Sequence, residues 1–292
     1  MKLWPQFGLR WTNGNPVGND VPISATKRLK VTKTDKPGVI DDYVVGEEPL
    51  EIRVESGGTM SQLAVTMRTP GNDIELGAGF LWSEGLLRNR EDLISITTCK
   101  DKELTLREQE NTIVAHVRDG APAIARTMQR RFTISSACGV CGSTQIEDLR
   151  ERGCRNVAPC ALPDEQLAGL PELMRPKQRI FDRTGGLHAA GLFNAKGELV
   201  VLREDVGRHN AVDKVIGYAL MHDMLPLDEF SLAISGRGGF EIIQKAVASG
   251  ISAVVAVSAP TSLAVETARE FGLTLLGFAR DGKATKYSPL SH

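Results

Sequence analysis

Cys138 and Cys141 lie in the stretch TISSACGVCGSTQIED, residues 133–148, as a C-x-x-C pair. Thiols at that spacing can hold a zinc ion, close into a redox disulfide, or carry sulfur on a reactive thiolate. Gly139, Gly142, Ser135, Ser136 and Ala137 offer no bulk to shield either sulfur. Thr144 and Glu147 have capping-box spacing, which predicts a helix starting there. A thiol just ahead of a helix N-terminus is favoured as thiolate. Arg130 and Arg131, near in sequence, add positive charge. The loop therefore suits a group that must visit partners.

The alternatives fit less well. A structural zinc site needs four ligands, and Cys154 and Cys160 offer C-x5-C where a second C-x-x-C is wanted. A thioredoxin-like site needs the pair to open a helix directly after a strand of a βαβ unit, and the surrounding pattern differs. A zinc deaminase shows H-x-E ahead of P-C-x-x-C. Here His188-Ala189-Ala190 lacks the glutamate, and the cysteine pair lies upstream of the histidine. Glycines on both sides argue against two inert buried cysteines.

A second set of residues suits ligand binding. SGRGG (235–239), SAPTS (258–262) and FARDGK (278–283) each follow an apolar strand-like run. In open α/β sheets ligands bind at the carboxyl ends of strands, so all three loops are expected on one edge. Gly236, Gly238 and Gly239 allow close backbone approach. Thr261 and Ser262 can cap the helix they precede. Arg237, Arg280 and Lys283 supply positive charge for a phosphate-rich ligand such as a nucleotide. His188, after two glycines, reads equally as a ligand contact or as a hydrogen-bonded core histidine. REDVGRHNAVDK (203–214) reads as a solvated helix start with Asp205 as its cap, and His209 as a ligand is the weaker alternative.

The elements that must position these residues fall into two parts. Residues 1–38 read as a polar arm without periodicity. A small α+β unit is expected over 39–135, then the cysteine loop and a linker helix over 136–160, then an α/β domain over 161–292. In the first unit, EPLEIRVE and QLAVTMRT alternate like strands around SGGT. GNDIELGAGFLWSEGLL reads as a helix with Asn72 as N-cap and Glu75 three residues on. LISITTCK, ELTLREQ and TIVAHVR read as strands, and APAIARTMQRRF as helical. In the second, GLHAAGLFNAKGELVVLRED reads as a hairpin. RHNAVDKVIGYALM then carries Ala211, Val212, Val215, Ile216, Ala219 and Leu220 on one helical stripe. After Pro226 strands and helices alternate, with strands almost wholly apolar. This predicts a three-layer domain containing a parallel sheet covered on both faces.

Composition sets the bounds. The chain has 292 residues and a formal net charge of −1, giving no bulk electrostatic case for nucleic acid or membrane. Five cysteines, an odd number, are no secreted disulfide framework. No apolar leader or membrane-length run is visible, so a reducing cytoplasm is the expected location.

CGVCG, TGGLHAAGLF, EDVGRHNAVDK, SGRGGFEIIQKA, VSAPTSLAVE and TLLGFARDGKATKY occur in that order. Together they resemble the formate dehydrogenase accessory sulfurtransferase family over roughly residues 40–288. The resemblance implies a second domain similar to the cytidine deaminase fold without its zinc site. It implies a protein that takes sulfur from a cysteine desulfurase as a persulfide. The sulfur goes to the molybdenum bis-molybdopterin guanine dinucleotide cofactor before that cofactor enters formate dehydrogenase. Carried over by position, Cys138 matches the persulfide-bearing cysteine and Cys141 its partner. Phe278, Ala279, Arg280, Asp281, Gly282 and Lys283 match the cofactor-binding stretch, where Asp281-Gly282-Lys283 replaces a Pro-Gly-Arg ending seen in some members. Ser235, Arg237 and His188 join them on the predicted edge, and guanine nucleotides are the expected mimics. A ligand with guanine at both ends implies two equivalent holders, hence a homodimer. The competing reading is a non-catalytic cofactor-binding chaperone with a structural C-x-x-C.

Overall fold

The computed structural model describes residues 24–121 and 142–289. Its first element is a hairpin of β1 (Thr26–Lys33) and β2 (Lys36–Val45), paired antiparallel. This corrects the expectation of an irregular arm up to residue 38. Nearly every hairpin position is exposed, so neither face carries the apolar alternation that would have marked a strand. Backbone pairing holds it, with Arg28 and Lys30 both bonded to Asp41 across the strands.

The next strands are β3 (Glu48–Ser56), β4 (Thr59–Arg68), β5 (Leu93–Thr98) and β6 (Thr112–Val117), in a sheet of order β4-β3-β6-β5. β3 runs antiparallel to β4 and parallel to β6. Leu50, Ile52 and Val54 alternate onto its buried face. There they meet Leu76 and Leu81 of α1 (Asp73–Ser83) with Ile96, Ile113 and Ala115. At ~1.5–3 kcal/mol per fully buried large apolar side chain, this face supplies most of the unit's cohesion.

Two local expectations are corrected. Asn72 takes the N-cap position as expected, but in the left-handed region, φ 57°, and its side chain caps nothing. Glu75 turns to Arg203 instead, at 2.5 and 2.7 Å. ELTLREQ holds a helix, α2 (Leu106–Glu110), and no strand. Thr105 and Glu108 form a reciprocal capping box, a local signal stronger than the short alternation read there.

α3 (Gly142–Glu151) packs Leu149 into the second core, and Arg150 lies over the Phe271 ring at 4.2 Å. The short helices α4 (Asp164–Ala168), α5 (Leu170–Met174) and α6 (Arg179–Thr184) follow. The second sheet then comprises β7 (His188–Phe193), β8 (Leu199–Asp205), β9 (Ser231–Ile234), β10 (Ala253–Ala256), β11 (Thr274–Arg280) and β12 (Lys283–Ser288). Its order is β12-β11-β10-β9-β7-β8. β9, β10 and β11 are parallel, and β7, β8 and β12 run antiparallel to their neighbours.

The expected three layers are present. Leu232, Ile234, Val254 and Leu275 face a core shared with α7 (Arg208–Met221), α8 (Phe240–Ala248) and α9 (Ser262–Glu270). Ala233, Ala253, Val255 and Leu276 face a separate core shared with α4 and α5. All six stripe residues of α7 are buried.

α1 and α7 join the two parts. A Cβ built on Gly79 would lie 1.9 Å from Asp213 O, and one on Gly217 would lie 1.8 Å from Glu75 O. The helices thus cross backbone to backbone, which only glycine permits. The segment read as a solvated helix start lies against this junction. Asp205 is fully buried and accepts from Thr69 N, Gly207 N and Asn210 Nδ2, with Lys214 Nζ at 2.7 Å. Its charge is a buried tie between the two parts and no solvated cap.

Candidate functional site

The carboxyl edge of the parallel strands gathers the predicted loops. Ser235 N donates to Ala189 O at 3.0 Å, and Ala189 N donates to Ser235 Oγ at 2.9 Å, which ties β7 to the turn after β9. Thr261 N donates to Gly238 O at 3.1 Å, and Phe278 N donates to Ser258 O at 3.3 Å. Three successive strand ends are therefore laced into one backbone rim. Thr261 caps α9 by accepting from Ala264 N, as its position predicts, and Ser262 is that helix's first residue.

The FARDGK segment is a tight hairpin. Phe278, Ala279 and Arg280 belong to β11, and Arg280 pairs with Lys283 across the turn. Asp281 and Gly282 both have positive φ, 52° and 66°, as a two-residue type I′ turn requires. Asp281 N donates to Glu172 Oε1 at 2.7 Å. Proline cannot take that φ and has no N–H to give. The Asp-Gly pair is thus the turn's own requirement, and its carboxylate needs no ligand to explain it. Phe278, φ 54°, stands 54% exposed at the rim, an aromatic face open to a planar group. Ala279 is buried, while Arg237, Arg280 and Lys283 are exposed cations on the same edge.

His188 starts β7 and reaches the same edge, since β7 runs antiparallel to β9. Gly236 leaves room for it: a Cβ there would lie 3.3 Å from His188 Nδ1. Burial, then the Arg208 charge, lower its pKa. Neither ring nitrogen bonds another described residue, so the core-histidine alternative finds no partner there.

Sequence reasoning did not single out Arg208, and gave His209 as a ligand only as the weaker alternative. They open α7 beside His188, and Glu241 Oε2 approaches His209 Nε2 to 3.7 Å. Burial, then Arg208, push the His209 pKa down to about 4. The available signal was GRH at a helix start on the strand-end side. It was masked by the many charges of that segment, most of which are structural.

Cys138 and Cys141 lie outside the described residues. α3 begins at Gly142, immediately after Cys141 in sequence and two residues before the expected Thr144. Among the described residues, Cys99, Cys154 and Cys160 are free, and no group of three His, Cys, Asp or Glu is placed to hold a metal. Burial raises the Cys154 thiol pKa. No helix among the described residues is long and apolar enough to cross a membrane.

A mixed α/β protein with a small sheet docked on a three-layer domain is a recognisable class. The particular family follows from comparison: residues 45–292 match the FdhD/NarQ family, and the chain belongs to it. It is similar to proteins named Sulfur carrier protein FdhD. The one from Streptomyces avermitilis is 45% identical over 269 residues, covering 90% of this chain and 94% of that protein. The one from Corynebacterium efficiens is 44% identical over 274 residues, covering 92% and 95%. The archaeal one from Sulfurisphaera tokodaii is 40% identical over 264 residues, covering 90% and 96%. The crystal structure of a protein assigned as a formate dehydrogenase accessory protein from Desulfotalea psychrophila superposes with a TM-score of 0.68. It is 23% identical, with 91% of this chain and 97% of that chain covered, and shows the shared fold.

Proposed function

We propose that this chain is a sulfur carrier for formate dehydrogenase maturation. Cys138 accepts sulfur from a cysteine desulfurase, and the protein passes it to the molybdenum bis-molybdopterin guanine dinucleotide cofactor as substrate. The observation that carries the reading is the C-x-x-C placed directly ahead of a ten-residue helix, Gly142–Glu151, in a chain of this family. A helix N-terminus and small neighbours favour the thiolate. Acceptance is then thiol exchange. The Cys138 thiolate attacks the outer sulfur of the donor persulfide, the donor S–S bond breaks, and the donor cysteine leaves as thiolate.

The strand-end edge receives the guanine nucleotide part of the cofactor. Phe278 offers stacking, the turns at Gly236–Gly239 and Ser258–Thr261 offer close backbone, and Arg237, Arg280 and Lys283 offer charge. The residues fit a large polyanionic ligand. Because that ligand carries guanine at both ends, two copies of the chain hold one cofactor. The protein is accordingly a homodimer in the cytoplasm, and light scattering at working concentration reads that state.

The test is intact-mass analysis after incubation with a cysteine desulfurase and cysteine, followed by peptide mapping. One added sulfur on Cys138, lost in Cys138→Ala together with client maturation, is expected. Sulfur on Cys154 or Cys160 that spares Cys138 rejects the assignment. Stoichiometric zinc held through Cys138 and Cys141 would favour the chaperone reading.

A further inference from the structure

One end of the strand-end edge carries an arginine with no ion-pair partner among the described residues. Arg208 is half-buried, and no carboxylate lies within ion-pairing distance of it among the described residues. Its Nε is buried without a hydrogen-bond partner, and so is Nε2 of His209. His188 and Gly236 close the cluster from the sheet side, where a Cβ on Gly236 would lie 3.7 Å from Arg208 Cδ. Glu241 flanks it from α8, its Oε2 3.7 Å from His209 Nε2 and beyond hydrogen-bond reach. Nearby Asp205 is paired with Lys214 and makes no ion pair with Arg208, though its charge favours protonation of His188 against burial and Arg208.

Four elements thus converge on a guanidinium and two imidazoles without satisfying them. A partly desolvated charge and two buried side-chain nitrogens left unpaired are unfavourable unless something completes them. Arginine presents a fork of donors that matches phosphate geometry. We propose that Arg208, with His209 and His188 beside it, forms an oxyanion subsite that binds phosphate oxygens of the ligand. This rests on the nucleotide reading of the edge and adds residues to it. The subsite lies at the β7 end of the rim, three strand positions from the Phe278–Lys283 hairpin, or about 14 Å at the usual strand spacing. It is therefore a separate contact.

Bound phosphate would also change the protonation of its neighbours. His209 is faced by Arg208 on its own helix, by Glu241 and Lys245 on α8, and by His188 on β7. With Arg208 answered by an anion, both imidazoles accept protons more readily. Binding near pH 6 is then accompanied by proton uptake.

The test is calorimetry on the full chain with GDP, guanosine and inorganic pyrophosphate, in two buffers of different ionisation enthalpy. Arg208→Gln is expected to weaken GDP and pyrophosphate at least tenfold and to leave guanosine unchanged. Arg208→Lys should recover part of the loss, with melting temperature confirming that both variants fold. Proton uptake should shrink in His209→Gln. Undiminished GDP binding in folded Arg208→Gln overturns the subsite and leaves the nucleotide reading standing. Pyrophosphate binding that depends on Arg208, without any GDP binding, keeps the subsite and removes the nucleotide reading. Binding of neither probe removes both.

Discussion

Lys245 Nζ lies 2.9 Å from Asp213 Oδ1, with both side chains buried. The same carboxylate oxygen accepts from Ser83 Oγ at 3.0 Å, so α8, α7 and α1 meet on one charge. Burial pushes the Asp213 pKa up to about 6, and the Lys245 charge works against that. At neutral pH the pair is ionised. Removing the ammonium strands a buried carboxylate, so Lys245→Met should cost about 3–5 kcal/mol in urea unfolding. The double variant Asp213→Asn with Lys245→Met leaves only the part-exposed Glu84, 3.5 Å from Lys245 Nζ, without its ammonium and should regain most of that. A double variant no more stable than Lys245→Met would assign the loss to packing.

The crossing of α1 and α7 gives a second stability prediction. Gly217→Ala would ordinarily gain about 1 kcal/mol in helix propensity. Here the new methyl meets backbone, Glu75 O, which cannot move as a side-chain tip can. Overpacking of this kind costs about 1–3 kcal/mol or more, so the sign reverses. A lowered thermal midpoint in Gly217→Ala is the expected outcome, and a raised one would mean the helices can separate without penalty.

What was legible in the sequence follows from which forces leave a periodic trace. β9, β10 and β11 bury both faces, and their unbroken apolar runs marked them and the three layers. The α7 stripe was visible for the same reason. The β1–β2 hairpin buries neither face and left no trace. Asp205, Lys214, Asp213 and Lys245 look like surface charges in sequence, because a buried ion pair is defined by a partner distant in the chain. The strand-end loops were found from their glycines. Arg208 and His209 were not distinguished from their structural neighbours, since only the fold shows which charges remain unanswered.

His209 predicts a pH dependence. Burial holds its folded pKa down to about 4, from the ordinary histidine value of about 6.5. Between those values the unfolded chain binds more protons than the folded one, so stability rises with pH across that window. Above about 6.5 the contribution is complete. As pH falls toward 4 it is lost. His209→Gln should flatten this part of the profile. Asp213, raised to about 6, works in the opposite direction over an overlapping range. The readout is therefore the difference between wild-type and variant urea midpoints at each pH. A difference that does not change between pH 4 and 7 would show that His209 is not desolvated.

The β11–β12 turn predicts an asymmetry between two substitutions. Asp281→Pro demands a φ near −65° where the backbone sits at +52°, and it removes the N–H given to Glu172. It should destabilise by more than about 1 kcal/mol. Asp281→Asn keeps the φ and the N–H and should be close to neutral. Thermal melts of the two variants compare them directly, and equal midpoints would mean the turn re-forms around proline.

Arg237 and Lys283 test the ligand edge itself. Both are exposed in the free protein, so neither should contribute to stability. If the edge receives guanine nucleotides, each makes a charge-assisted contact to the ligand, and removing one should weaken binding by about 1.5–3 kcal/mol. Arg237 lies on the turn after β9 and Lys283 starts β12, three strand positions away, or about 14 Å. At that separation losses add, so Arg237→Ala with Lys283→Ala should equal the sum of the single variants within about 0.5 kcal/mol. The wild-type affinity should fall with added salt, and the double variant's should fall less steeply, because fewer charges are being screened. Calorimetry with GDP at two ionic strengths measures all of this. Unchanged affinity in both single variants would place the nucleotide away from the carboxyl ends of β9 and β11.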